Sequence, residues 1–189
     1  MRHRPRGTAL PTFALVICGA LLLPACQALA PAPIGAHASR PVRRDLIGAW
    51  QLVSIELDTP AGAVPDPFYG EHCTGLLVYD ASGWMSVQIS APNRTSVPVP
   101  DSRPPASEPL AAAQLKARAL DTYYAYVGTW TLNESAALIT HQVTSALYPD
   151  EGGARYTQAV AVQGGRMTLS SHRVLPAGAV TQTKTWQRL

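Results

Sequence analysis

Apolar and polar residues alternate along most of the chain after Trp50, and short clusters of Gly, Pro, Asn and Asp interrupt the alternation. A period of two is typical of strands that bury one face, whereas a helix repeats its apolar positions every three or four residues. The clusters have the composition of turns. The pattern therefore predicts eight strands, at residues 50–57, 75–79, 84–89, 124–132, 137–147, 156–162, 167–173 and 180–188.

One segment lacks this alternation. Residues 92–109 contain six prolines, and proline cannot donate the hydrogen bond that a central strand requires. Beyond this segment, apolar side chains recur at helical spacing at Leu110, Ala113, Ala117 and Leu120. The chain is therefore predicted to form one helix of about 14 residues, inserted after the third strand.

The two ends of the strand series predict how the sheet closes. Gly48 precedes Trp50 at the start of the first strand, and Arg188 ends the last one. An indole at the floor of a barrel can pack beneath a guanidinium as a cation–π partner, so Trp50 and Arg188 are assigned to barrel closure. Eight antiparallel strands suffice to close a barrel around one small ligand, and we predict an all-β barrel of this kind. A sandwich of the same strands is the alternative.

Six blocks, in this order along the chain, carry a resemblance to a known family. They are residues 46–54 (LIGAWQLVS), 75–79 (GLLVY), 83–88 (GWMSVQ), 124–130 (YAYVGTW), 139–143 (ITHQV) and 185–188 (TWQR). Together they resemble the lipocalin-like domain family of bacteria and fungi. The resemblance spans nearly all of residues 45–188 and implies an eight-stranded lipocalin-like barrel with a ligand cavity. It implies little about chemistry, because one fold serves many functions.

The first 25 residues have the layout of an export signal. Three arginines precede an apolar stretch at about residues 13–23, and no acidic residue occurs in this part of the chain. The apolar stretch is shorter than the roughly 20 residues that a membrane-spanning helix needs. Residues 1–25 are therefore predicted to be a signal peptide of the lipoprotein type, or one of the ordinary type that extends to residue 38. We expect an exported bacterial protein.

The cleavage site decides what becomes of the segment after the signal. Cys26 stands at the end of the apolar core, where a lipoprotein signal would place the lipidated residue. The alternative is cleavage after Ala38, whose small-x-small pattern suits an ordinary signal peptidase. Residues 26–43 are predicted to be a flexible tether and residues 44–189 the barrel domain. We expect the protein in the cell envelope or periplasm, lipid-anchored at Cys26 or otherwise secreted.

Charge and cysteine content exclude several partners. The 15 Lys and Arg residues include three in the leader, which leaves 12 to balance 12 Asp and Glu. A near-neutral protein has no excess positive charge for nucleic acid. Cys73 is the only cysteine after Cys26, so no disulfide framework is predicted, and we expect Cys73 to be buried. No nucleotide-binding or metal-binding motif occurs, so no cofactor and no metal are predicted.

Strand parity predicts which side chains face the barrel interior. Counting from Trp50 assigns Ser54 and Glu56 to the inner face, and aromatic residues anchor the count on the other strands. A ligand cavity is mostly apolar with a few placed hydrogen-bonding groups. The candidate ligand-binding residues are Ser54, Glu56, Trp84, Gln88, Tyr126, His141 and Tyr156.

His141 is the sharpest of these candidates, because a mid-strand imidazole could bind a ligand or act as a base, unless a neighbouring strand satisfies it. The favoured hypothesis is a non-enzymatic protein that binds a small apolar ligand and meets a membrane only through a lipid anchor. The alternative is an isomerase or cyclase that uses His141, Tyr126 and Glu56 as acid–base groups. A third is an envelope scaffold with a filled barrel. The sequence leaves the ligand and the oligomeric state open.

Overall fold

The computed structural model describes residues 40–97, 109–175 and 178–189. The predicted signal peptide, the lipidation site Cys26 and most of the predicted tether lie outside these residues. Within the described residues, no helix is both long and apolar enough to cross a membrane. Export and lipidation therefore stay predictions.

The described residues form nine strands, two α-helices and one 3-10 turn. In chain order they are α1 (Arg43–Leu46), β1 (Gly48–Thr59), β2 (Gly62–Pro65), β3 (Thr74–Tyr79), β4 (Trp84–Ser90), α2 (Leu110–Asp121), β5 (Tyr123–Asn133), β6 (Leu138–Ala146), a 3-10 turn (Pro149–Glu151), β7 (Arg155–Gln163), β8 (Arg166–Leu175) and β9 (Gly178–Arg188). Helix α2 contributes no buried side chain. The buried core comes from the strands, together with Leu46 of α1 and with Tyr69 and Cys73 of the loop between β2 and β3.

The nine strands form one antiparallel sheet in the order β2-β1-β3-β4-β5-β6-β7-β8-β9, and β1 also pairs with β9. This second pairing closes eight of the strands into a barrel. The predicted eight-stranded antiparallel barrel is confirmed, and α2 follows its third strand as expected. Strand β2 is an addition, because it folds back on the end of β1 as a hairpin. Its four residues are all exposed and show no alternation, which is why the pattern did not predict it.

Trp50 and Arg188 meet where the barrel closes. Trp50 is fully buried, and its indole N–H donates to the carbonyl of Leu46 at 2.8 Å. The Arg188 guanidinium lies 4.2 Å from the centre of the Trp50 ring and donates to the carbonyl oxygens of Ile47 and Asp45. One side chain of the last strand thus fixes the turn that enters the first, in the arrangement that the sequence predicts.

A second tryptophan and arginine repeat this arrangement on another strand. The Arg43 guanidinium lies 4.1 Å from the centre of the Trp130 ring, and the indole N–H of Trp130 donates to the carbonyl of Asp80 at 3.0 Å. Gly128 precedes Trp130 by two residues, as Gly48 precedes Trp50. A Cβ atom at Gly128 would lie 2.0 Å from the carbonyl oxygen of Gln142, so the close approach of β5 and β6 requires glycine there.

Two irregularities interrupt the strand pairing. The register of β1 against β9 shifts between Leu52 and Ser54, and that of β5 against β6 shifts between Val127 and Gly128. An extra residue in one strand reverses the faces that the following side chains occupy. In β1 the buried positions are Trp50 and Leu52 before the shift, and Ile55 and Leu57 after it.

We predict that Trp50→Ala lowers the free energy of unfolding by about 3–5 kcal/mol, because it empties a buried aromatic site and removes the ring beneath Arg188. Urea unfolding followed by circular dichroism measures the change. Trp84→Ala is the matched control, because Trp84 is 51% exposed and its loss should cost less than about 1 kcal/mol. Equal unfolding midpoints for Trp50→Ala and wild type would contradict the role of Trp50 in closure.

Candidate functional site

The barrel encloses a cavity of about 700 Å³. Aliphatic and aromatic side chains from β3, β4, β8 and β9 and from the loop after β2 supply apolar parts of its walls. They include Phe68, Leu77, Val87, Ile89, Leu169 and Trp186. Because this volume is comparable with that of pockets for drug-sized molecules, the interior is not filled by side chains.

Five tyrosines form one side of the cavity. They are Tyr69, Tyr124, Tyr126, Tyr148 and Tyr156. The ring centres of Tyr126 and Tyr156 are 5.7 Å apart, as are those of Tyr124 and Tyr126, and both pairs are T-shaped. Such contacts fix the rings while their edges and hydroxyl groups remain available to a ligand.

His141 lies between two tyrosine hydroxyl groups. Its Nε2 is 2.7 Å from the hydroxyl of Tyr79, and its Nδ1 is 2.7 Å from the hydroxyl of Tyr126. Burial, together with the positive charge of Lys184, lowers the pKa of His141 from 6.5 to about 3. The imidazole is therefore neutral near pH 7 and has one N–H donor and one acceptor nitrogen.

The buried position of Tyr79 indicates the direction of these hydrogen bonds. Tyr79 is 1% exposed, and within the described residues its hydroxyl contacts only Nε2 of His141. If Nε2 is the unprotonated nitrogen, it accepts the hydroxyl proton of Tyr79. If Nε2 carries the ring proton instead, the hydroxyl proton of Tyr79 is buried without an acceptor. The proton on Nδ1 is then donated to the Tyr126 oxygen. Tyr126 borders the cavity, so its own hydroxyl proton is available to a ligand.

A charged network occupies another wall. Asp66 is 2% exposed, and its carboxylate accepts from the backbone N–H of Phe68 at 2.9 Å and from the Gln182 side chain. A guanidinium nitrogen of Arg173 lies 3.6 Å from the same carboxylate. Lys184 donates from Nζ to the side-chain oxygen Oε1 of Gln182 at 2.7 Å. Gln182 therefore links the carboxylate of Asp66, which is paired with Arg173, to the ammonium group of Lys184, which borders the cavity.

Burial and, to a smaller extent, the positive charge of Arg173 lower the pKa of Lys184 from 10.5 to about 8, although the negative charge of Asp66 opposes this shift. Lys184 is therefore mostly protonated at neutral pH. On the tyrosine side, Tyr124 donates to a carboxylate oxygen of Glu151 at 2.8 Å. Burial and this hydrogen bond raise the pKa of Tyr124, so its phenol stays protonated.

Three of the candidate binding residues come together in the structure. Tyr126, His141 and Tyr156 all border the cavity, on the consecutive strands β5, β6 and β7. Both ring nitrogens of His141 are engaged by tyrosines, so a ligand would meet the hydroxyl of Tyr126 rather than the imidazole.

The other four candidates do not line the cavity. Glu56 is exposed, and its predicted inward orientation is wrong because the irregularity before Ser54 reverses the faces of β1. Ser54 is half-buried at that irregularity. Trp84 and Gln88 are exposed on the outer face of β4, whose inner positions are taken by aliphatic neighbours. The prediction that Trp84 marks the inward face of β4 is wrong, because this tryptophan lies next to a turn at the first residue of the strand.

Sequence reasoning missed Asp66, Tyr79, Gln182 and Lys184 as interior polar groups. The alternation of β9 could have predicted two of them, because Gln182 and Lys184 lie on the same face of the strand as Trp186. Asp66 had no such signal, since it lies in a loop. Among the described residues, no group of three or more His, Cys, Asp and Glu could hold a metal ion.

Comparison with protein-family models supports this architecture. A family model described as a lipocalin-like domain matches residues 47–189, which include every strand of the barrel. No curated protein matches the sequence significantly. Among solved structures, a crystal structure of zebrafish ileal bile acid-binding protein complexed with cholic acid matches with 12% identity and a TM-score of 0.35. That match covers 77% of this chain and 99% of the zebrafish chain.

We predict that His141 makes the protein less stable as the pH falls from 6.5 towards 3. Over this range the unfolded chain takes up a proton on this imidazole, but the folded chain does not. The free energy of unfolding should therefore fall by up to about 1.4 kcal/mol per pH unit. Urea unfolding of wild type and His141→Gln across this range measures the effect, because the variant lacks this titration and should lose less stability.

His172→Gln is the matched control, because His172 is exposed at the rim of the cavity. This variant keeps the buried His141, so the loss of stability that His141 causes at low pH should remain. If wild type and His141→Gln lose the same free energy of unfolding as the pH falls, the buried imidazole does not resist protonation and the prediction is wrong.

Proposed function

The chain belongs to the family of lipocalin-like domain proteins, and we propose that its barrel binds a small, mostly apolar ligand without converting it. The observation that carries this proposal is the cavity of about 700 Å³ inside the closed barrel. A scaffold barrel would need no such space, and filling it with side chains would contribute to stability.

The chemistry of the walls supports an apolar ligand with a polar end. The aliphatic side chains and the tyrosine rings offer apolar surface, which favours a hydrocarbon or an aromatic body. Tyr126 offers a hydroxyl proton whose orientation the hydrogen bonds of His141 fix. A ligand that accepts this proton would be held in one orientation, at little entropic cost to the protein.

The cellular setting remains part of the proposal. The three arginines and the apolar stretch of the first 25 residues support export to the cell envelope. Lipidation at Cys26 would tether the barrel to a membrane, whereas cleavage after Ala38 would release it. In either case the ligand would be bound outside the cytoplasm.

We predict that the protein binds the uncharged fluorescent probe N-phenyl-1-naphthylamine in this cavity. Transfer of the probe from water to an apolar site raises its fluorescence, so a titration gives its affinity. Ser171→Trp should weaken binding by about tenfold or more, because a large side chain at this cavity-lining position occupies the space of the ligand. Ser145→Trp is the matched control, because Ser145 is an exposed residue of β6 that does not border the cavity.

Native mass spectrometry of the gently purified protein complements this titration. A co-purified adduct of a few hundred daltons would give the chemical class of the natural ligand. Absence of probe binding by the wild type, or equal binding by the Ser171→Trp and Ser145→Trp variants, would contradict a ligand cavity at this place.

A second candidate function rests on the hydrogen bonds of His141. The series from Tyr79 through His141 to Tyr126 could deliver a proton to a bound molecule, as an isomerase or cyclase requires. Glu56 has no part in this version, because it is exposed on the outer face. The small molecules released from wild type and from Tyr126→Phe distinguish the two functions. A carrier releases the same molecule from both, whereas an enzyme releases product from the wild type and unreacted substrate from the variant.

A further inference from the structure

We propose that Lys184, Trp186 and Tyr126 form a subsite for an anionic oxygen group, so that the ligand is an amphiphile with a carboxylate. This inference rests on the proposed ligand-binding function and specifies its chemistry. Lys184 and Trp186 lie two residues apart on β9, and all three side chains border the cavity. Each supplies a hydrogen-bond donor that the protein itself does not fully use.

Lys184 is a cation without a close anionic partner in the part of the chain that the structure describes. Its ammonium group has three donors and uses one of them, for the side chain of Gln182. The carboxylate of Asp66 is paired with Arg173 and accepts two further hydrogen bonds, so this wall of the cavity keeps one uncompensated positive charge. A charge partly withdrawn from water favours an anionic partner strongly, because little solvent screens it.

Trp186 adds an independent observation. Its side chain is fully buried, and its indole nitrogen is the only buried side-chain nitrogen or oxygen without a hydrogen-bond partner among the described residues. Buried donors are nearly always satisfied, so an unsatisfied one in the wall of a cavity indicates an acceptor that the protein does not supply. An oxygen atom of the ligand, reached with a small adjustment of the ring, is such an acceptor.

Tyr126 supplies the third donor, from β5. In the tautomer that satisfies Tyr79, the Tyr126 hydroxyl oxygen accepts from Nδ1 of His141, so the hydroxyl proton can be donated into the cavity. Tyr126, His141 and Lys184 border the same cavity, and Tyr126 is hydrogen-bonded to the imidazole whose pKa the charge of Lys184 lowers. A carboxylate has two oxygens with about four acceptor sites and can satisfy several donors together, whereas an alcohol has a weaker acceptor and no charge.

Displacement of N-phenyl-1-naphthylamine by decanoate and by decanol tests this subsite. The two competitors have the same number of carbon atoms and differ only in the head group, which is a carboxylate in decanoate and an uncharged hydroxyl in decanol. At pH 7, where Lys184 and the carboxylate are both charged, decanoate should displace the probe from wild type at about tenfold lower concentration than decanol. Lys184→Met should reduce this ratio to about twofold or less by weakening decanoate alone.

Two further variants separate charge from packing. Lys116→Met removes the other lysine of the chain, which does not border the cavity, and should keep the wild-type ratio. Lys184→Arg keeps a positive charge at the same position and should restore most of the preference for decanoate. Circular dichroism checks that each variant is folded, and the comparison of the two competitors on wild type does not depend on any variant.

The failures of the two proposals are distinguishable. A wild type that does not bind the probe would overturn ligand binding in the cavity. A wild type that binds the probe but is displaced equally by decanoate and decanol would leave the cavity standing and overturn the anionic subsite. Retention of the full preference by Lys184→Met would likewise overturn the assignment of the subsite to Lys184.

Discussion

The pairing of β1 with β9 is the constraint on which the rest of this molecule depends. The other pairings join the strands in one continuous row from β2 to β9. Without the pairing of β1 with β9, this row would be an open sheet with two free edges and no interior. Trp50 and Arg188 lie at this junction, and the backbone of Leu189 donates to the carbonyl of Ala49 at 3.0 Å. Closure leaves no free edge among the eight barrel strands and creates the space in which a ligand can lie.

Each polar group inside the closed barrel loses hydrogen bonds to water, which costs free energy. Some of these groups regain hydrogen bonds within the protein, and others do not. Asp66 is compensated by Arg173 and two hydrogen bonds, and His141 has a partner on each ring nitrogen. These groups are satisfied by the protein alone, so they stabilise one arrangement of the walls. Lys184 and Trp186 keep unused donors, which is the pattern of a site that another molecule completes.

Local pattern was sufficient to predict the strands, the helix and the closing residues, because each depends on side chains close together in sequence. Alternation predicts a strand without reference to its neighbours, and the inward faces of β5, β6 and β7 followed from it correctly. Alternation did not predict the inward faces of β1 and β4 correctly. The irregularity at Val53 arises from the fit of β1 against β9, which is more than 120 residues away in the chain, and no feature of β1 alone announces it. Trp84 shows a different failure, because a large aromatic residue at a strand end can lie outside.

The same irregularity decides the chemistry of the cavity. In the observed register Ile55 lies opposite Lys184, and Glu56 lies opposite Thr183 on the outer face. If the count from Trp50 ran without interruption, Ser54 would lie opposite Lys184 and Glu56 would face inward, one position further along the same face. A carboxylate there could pair with the ammonium and leave no charge for a ligand. One extra residue in β1 thus removes a potential internal counterion, so that the positive charge of Lys184 is left for an anion that enters the barrel.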